Sequence, residues 1–242
     1  MSGSRKAGER TSPRGRWPDF FIVGAARSGT TSLWRYLQEH PGIYMPSYIG
    51  WKEPSYFCET YGFSDEEDYL RLFADASEDQ LVGEASTPYL TSPESAAWIA
   101  RSNPEAKIVI LLRNPVERAW SLYWWMAREG YEAAPSFRRA LKWEARRTNE
   151  RFRSDNPQYY HNYLYFSSGL YADQVARYLD AFGEDQVKVL VFEDFVRRPV
   201  ESVREVCRFL GVDDDFTPGV ETHNQGRHVL SPTLQYLLRG AH

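Results

Sequence analysis

Residues 24–31 read G-A-A-R-S-G-T-T and follow the apolar run F-F-I-V. Gly24 and Gly29 fall on the glycine positions of a G-x-x-x-x-G-K-[ST] phosphate loop, and Thr31 on its hydroxyl position. Thr30 stands where that pattern has its lysine. The chemistry open to such a stretch is anion binding. Glycines let the backbone curl until several N–H groups converge. The helix that follows adds unbonded N–H groups and the positive end of its dipole. Arg27 adds a full charge on a planar fork of donors, and the threonines add hydroxyls. A plain glycine turn with helix-capping threonines is the alternative.

A second stretch, residues 107–125, reads K-I-V-I-L-L-R-N-P-V-E-R-A-W-S-L-Y-W-W. It puts Arg113 at the end of an apolar strand and Ser121 in the helix after it. Open α/β sheets bind ligands outside the carboxyl ends of their strands, so Arg113 belongs to the same edge as the glycine loop. A nucleotide hydrolase would want a carboxylate near such a strand end to help hold magnesium. An arginine suits an anion bound without metal. The bland alternative is that Arg113 pairs with Glu117 or caps a helix.

The elements that must position these residues are legible as alternating patterns. Apolar runs at 20–24, 80–86, 107–113 and 187–195 have the length and β-branched content of strands buried on both faces. Helical patterns lie at 30–39, 64–76, 92–104, 114–130, 136–152, 168–183 and 198–212. Ser64 is the expected N-cap of the second. Ser92 is the expected cap of the third, with Pro93 at its first helical position. Strands alternating with helices predict an α/β fold: three layers, P-loop-like, with a central parallel sheet flanked by helices. Residues 1–17 read as a flexible basic tail and 18–242 as one domain.

The 242-residue chain is 42% hydrophobic and 26% charged, a globular balance, and its formal charge of −4 argues against general nucleic-acid binding. Cys58 and Cys207 lie far apart without metal-type spacing, so reduced thiols in a cytoplasmic protein are expected. No run approaches the length of a membrane span, and the basic N-terminus lacks the apolar centre of a secretion signal.

The two anion-binding stretches together, in this order and at this spacing, resemble the sulfotransferases that use 3′-phosphoadenosine 5′-phosphosulfate (PAPS). The likeness is closest to the bacterial and heparan-sulfate-type branch and covers residues 19 to about 235. It implies that Arg27, Ser28, Gly29, Thr30 and Thr31 grip the 5′-phosphosulfate, with Arg27 in place of a frequent family lysine. It implies that Arg113 and Ser121 hold the 3′-phosphate. Residues 222–232 resemble the loop that closes over the donor nucleotide, with Gly226 and Arg227 matching its glycine and arginine.

The segment G-W-K-E-P-S-Y-F at 50–57 resembles the branch's catalytic motif. Glu53 falls on the catalytic glutamate and Lys52 on its frequent neighbour, so the catalytic set implied is Glu53, Arg27 and Lys52. Partial burial beside Trp51, Tyr56 and Phe57 would raise the pKa of Glu53 toward that of a neutral-pH base. The plain alternative is two surface charges before a proline. Ala85 departs from the family, which has a lysine there. Glu84 is read as an ion-pair partner for Arg27 in preference to a second acidic participant.

Residues 128–166 combine arginines with clustered tyrosines, which suits the choice of a small-molecule or carbohydrate acceptor. His161 among those tyrosines reads as structural rather than as a second base. The resemblance implies PAPS as donor, 3′,5′-adenosine bisphosphate (PAP) as product, and no metal. A P-loop small-molecule kinase and a non-catalytic nucleotide-binding module are the rival readings.

Overall fold

The computed structural model describes residues 16–46, 53–59, 61–148, 151–152, 159–219 and 231–239. Five strands build one sheet: β1 Phe20–Gly24, β2 Ile43–Tyr44, β3 Leu81–Ala85, β4 Lys107–Leu112 and β5 Val187–Val191. Their order is β2-β3-β1-β4-β5, and every pairing is parallel. β1 is therefore central, and the ends of β3 and β4 flank the loop that leaves it. The helices are α1 Thr30–Gln38, α2 Glu66–Arg71, α3 Pro88–Thr91, α4 Ser95–Ser102, α5 Pro115–Arg128, α6 Phe137–Trp143, α7 Tyr171–Phe182, α8 Phe192–Arg197, α9 Pro199–Leu210 and α10 Pro232–Arg239.

Strand alternation divides the core in two. Phe20 and Ile22 of β1, with Val109 and Leu111 of β4, meet Leu33 and Leu37 of α1 and Val203 and Val206 of α9. Phe21 and Val23, with Ile108 and Ile110, meet Tyr69 of α2, Ile99 of α4 and Tyr178 of α7 on the other face. Full burial of each large side chain contributes about 1.5–3 kcal/mol. The sheet with helices on both sides is thus the expected three-layer arrangement. Close packing demands one glycine here: a Cβ on Gly83 would lie 2.2 Å from the ring of Phe20, its register partner on β1. A third apolar cluster joins α5 and α6 to the 160–165 segment.

Several expected boundaries move. The strand foreseen over 187–195 ends at Val191, and α8 begins at Phe192, whose neighbour Phe195 turns into the core. Asp65, not Ser64, caps α2, because its carboxylate accepts from Asp68 N. The helix foreseen from Ser92 starts at Ser95, since the Ser92 hydroxyl is engaged with Tyr159 Oη at 2.6 Å and Cys58 Sγ at 3.2 Å. The helix foreseen over 136–152 is α-helical only from Phe137 to Trp143, capped by Ser136, and then tightens to a 3-10 turn. β2 and α3 had no counterpart in the sequence reading. At the N-terminus, Trp17 packs against Tyr56, Phe57 and Tyr69, so the ordered fold takes in the end of the expected tail; residues 1–15 lie outside the described residues.

Candidate functional site

The glycine loop closes at the sheet centre. Arg27 has φ 68 and Gly29 φ 87, two left-handed steps that turn the chain from β1 into α1. Gly29 is the N-cap of α1 and has no side chain to supply a cap. The first bonds back to its carbonyl come from Ser32 N and Leu33 N. The N–H groups of Thr30 and Thr31 precede those bonds, so no intrahelical acceptor reaches them. Ser28 and Thr30 are buried. A Cβ on Gly29 would meet the Phe192 ring at 3.1 Å, so the glycine serves both the turn and the contact with α8.

The second stretch docks onto this loop. Arg113 follows β4, and its Nη1 donates to Arg27 O at 3.3 Å. Its guanidinium lies 4.5 Å from the centre of the Phe192 ring. Arg113 Nε is buried and has no hydrogen-bond partner among the described residues. Arg113 Nη2 sits 3.4 Å from Glu117, the pairing foreseen as the bland alternative. That carboxylate is well exposed, so the bond is worth at most about 1 kcal/mol and a phosphate could displace it. Arg27 Nε donates to Ser121 Oγ at 3.2 Å. The two motifs, 94 residues apart in the chain at this contact, therefore meet side chain to side chain.

Arg128 completes the cationic group. Burial, then the charges of Arg128 and Arg113, together bring the Arg27 guanidinium down to about 10 against an opposing pull from Glu129. Mutually repelling cations on a partly buried floor favour an anion between them. Arg128 was not singled out from the sequence. Its signal was there: it lies seven residues, two helical turns, beyond Ser121 on α5, hence on the same face. A cleft of about 550 Å³ lies over this floor, walled by Trp120, Trp124, Trp125 and Phe137.

The candidate base stands beyond the end of β3, the strand next to β1. Thr87 Oγ1, just past β3, donates to Glu53 Oε2 at 3.1 Å. Ser55, at φ 54, gives its N–H to Ser86 Oγ at 3.0 Å, and Phe57 N donates to Tyr89 Oη at 3.3 Å. The 53–58 segment is thus tied to the chain leaving β3. The expected aromatic surroundings of Glu53 differ. Tyr56 stacks on Tyr69 at 4.5 Å and Phe57 turns into the core against Phe21 and Tyr89. The ring that senses the charge of Glu53 is Tyr61, whose hydroxyl is held above its ordinary value by burial first and then by that carboxylate. Trp51 and Lys52 lie outside the described residues, as do Gly226 and Arg227.

Glu84 is not the ion-pair partner of Arg27. It points into the opposite core layer, buried, and accepts from Tyr69 and Ser86 at 2.5 Å each and from Tyr89 at 3.0 Å. Burial pushes its carboxyl up to about 7, opposed by the three hydroxyl bonds and assisted by the charge of Glu53. Ala85, where the resemblance places a lysine, is buried in the core layer of α1. His161 packs against Tyr159 and Tyr160. No group of three or more His, Cys, Asp or Glu able to hold a metal ion occurs among the described residues. No helix of the described residues is long and apolar enough to cross a membrane.

Comparison with known proteins adds four findings. The family model described as sulfotransferase domain matches residues 17–225. A sulfotransferase of known structure from Alicyclobacillus acidocaldarius is 42% identical, with a TM-score of 0.77 over 86% of this chain and 87% of that one. The bifunctional heparan sulfate N-deacetylase/N-sulfotransferase 4 of Mus musculus is 28% identical over 199 residues, 81% of this chain. The match spans only 22% of that enzyme's length. The crystal structure of a mouse sulfotransferase complexed with PAP shares the fold, at 18% identity and a TM-score of 0.52 over 82% of this chain and 60% of that one.

Proposed function

The chain belongs to the sulfotransferase domain family, and we propose that it transfers the sulfuryl group of PAPS to a hydroxyl or amine of a small-molecule or carbohydrate acceptor, releasing PAP. The observation that carries this reading is the meeting of the two anion-binding motifs through Arg27 and Ser121, with Arg113 braced against the loop carbonyl. The residues suit a donor with phosphates at both ends. The open N–H groups of Thr30 and Thr31, with Arg27, Ser28 and Gly29, face the 5′ end. Arg113, whose Nε lacks a partner, and Ser121 face the 3′ end.

In this reading Glu53 takes the acceptor proton as the acceptor oxygen or nitrogen forms its bond to sulfur. The bond between sulfur and the bridging phosphate oxygen breaks, and the charge passes to that phosphate. Arg27 and the N–H groups of the loop stabilise that charge, so catalysis is positioning plus electrostatics. Lys52 and the Gly226–Arg227 pair keep the roles their motifs imply, as neighbour of the base and as closing loop. Both cysteines are buried and unpaired, which supports a cytoplasmic setting.

The burial of Ala85 favours one second reading, a nucleotide-binding module without turnover, because no cation stands at that position. Calorimetric titration with PAP, against ATP plus magnesium, tests the first reading on wild type and Arg113→Ala. PAP binding that is indifferent to magnesium and weakened about 10- to 100-fold by Arg113→Ala is expected. Preference for ATP with magnesium would sink the donor assignment and return a kinase. PAP binding with no turnover of PAPS on any acceptor or on water would favour the module.

A further inference from the structure

We propose that Glu84 is a positioning residue for Glu53: as a carboxylate it draws the hydrogens of Ser86 and Tyr89, which leaves their oxygens free to accept the N–H groups of Ser55 and Phe57 and so fixes the segment that carries Glu53. The inference rests on the reading of Glu53 as the base.

The hydrogen bookkeeping is explicit. Each hydroxyl owns one hydrogen. Ser86 gives its hydrogen to Glu84 Oε1, and Tyr69 and Tyr89 give theirs to Oε2. The lone pairs left over on Ser86 and Tyr89 receive Ser55 N and Phe57 N. Thr87, the residue after Ser86, holds Glu53 itself. The end of β3 thus makes three contacts with 53–57, and two of them owe their direction to the charge on Glu84. Ser55 sits at φ 54, a left-handed backbone that a serine adopts only under constraint.

A neutral group at position 84 reverses one of these bonds. An amide, or a protonated carboxyl, brings hydrogen of its own and fits best on the side that faces one donor rather than two. That side is Oε1, opposite Ser86. Ser86 then accepts that hydrogen and loses the acceptor that fixed its own, so its hydroxyl is free to turn and the anchor at Ser55 N weakens. The groups that face Glu84 are Tyr69 from α2, Tyr89 from α3, Ser86 beyond β3 and Glu53 on the anchored segment, together with Cys58 and Tyr178, whose ionisation its charge opposes. Because burial holds Glu84 up to about 7, the anchor is complete above that pH and weakens below it.

The test compares Glu84→Gln, Ser86→Ala and Glu53→Gln with wild type by three readouts. These are amide hydrogen exchange at Ser55, PAP affinity, and sulfate release from labelled PAPS with water as acceptor. In Glu84→Gln and Ser86→Ala, Ser55 is expected to exchange on the order of tenfold faster, consistent with loss of a local anchor. The kcat for sulfate release should fall roughly 10-fold or more, with the KM for PAPS and the PAP affinity changed less than about twofold. In wild type, Ser55 protection and kcat should rise together through about pH 7, and that rise should vanish in Glu84→Gln. Wild-type protection of Ser55 in both variants, or lost protection with unchanged kcat, overturns the proposal. Unchanged kcat in Glu53→Gln overturns the base assignment instead, while Ser55 exchange still decides the anchor. If Glu84→Gln no longer binds PAP, Ser86→Ala, which removes one oxygen, decides alone.

Discussion

Two walls stand at the carboxyl ends of neighbouring strands, one beyond β1 and β4 and one beyond β3, and they are held in opposite ways. The donor wall is a set of cations that repel one another: Arg27, Arg113 and Arg128, with a buried guanidinium nitrogen lacking a partner. The wall around Glu53 and Glu84 is a set of carboxylates whose hydrogen bonds are already supplied from within, by Thr87, Ser86, Tyr69 and Tyr89. Among the described residues, the non-glycine positions with positive φ are Arg27 and Ser55, one in each wall. On the proposed reading a bound donor completes the first wall, whereas the second is completed by its own fold. Binding measurements should therefore read the first wall, and turnover and pH the second.

The sharpest way to break that division is Glu53→Gln. Turnover should fall roughly 10²- to 10⁴-fold, the range of a lost general base, while PAP affinity measured by calorimetry stays within about twofold. A matching loss of affinity would mean that the walls are not separable. Next comes the cost of burying Glu84. Its native pKa near 7 lies above the unfolded value near 4.5, so the native state holds the proton longer. Stability therefore falls as pH rises from about 4.5 to 7 and levels off above. Denaturant titrations of wild type and Glu84→Gln should show the variant gaining about 3 kcal/mol relative to wild type over that window. A constant difference would place the proton elsewhere.

On the donor wall, Arg113→Ala should weaken PAP about 10- to 100-fold and leave the midpoint of thermal unfolding within a few degrees, since its pairing with Glu117 is exposed. Gly29→Ala should cost about 1–2 kcal/mol of stability, from the left-handed φ and the contact with Phe192, and should weaken PAP in parallel. The smallest effect is expected of Arg27→Lys. A point charge replaces a fork and the bond to Ser121 is lost, so PAP affinity should drop only a few-fold.

The walls also differed in how far the sequence disclosed them. The donor wall depends on strand ends and on residues close along the chain, so its spacing was readable: β1, the loop and α1 in one stretch, β4, Arg113 and Ser121 in another. Arg128 is reached from Ser121 by helical periodicity. The acidic wall depends on hydroxyls brought from α2, α3 and the end of β3, and nothing local marks Tyr69 or Tyr89 as partners of Glu84. Glu84 was paired with Arg27 because opposite charges near strand ends suggest contact. The pleat sends Glu84 into the layer of α2 and α7 instead. The same long-range competition displaced the cap foreseen at Ser92, whose hydroxyl is claimed by Tyr159 and Cys58. At 187–195 the apolar run fitted strand and helix alike. The turn at Val191 is set by tertiary contacts, with Phe195 in the core and Glu193 accepting from Asn114 N.

Phe192, on which the Arg113 guanidinium rests and against which Gly29 packs, comes late in the chain, and that order has a consequence for synthesis. A ribosome that has released the chain through Leu112 has delivered the glycine loop and the central strands, but neither the ring that braces Arg113 nor the edge strand that leads to it. Domains fold as units while synthesis proceeds from the N-terminus. Nucleotide capture by stalled nascent chains would then switch on only after the codons for α8 have been translated and have cleared the exit tunnel.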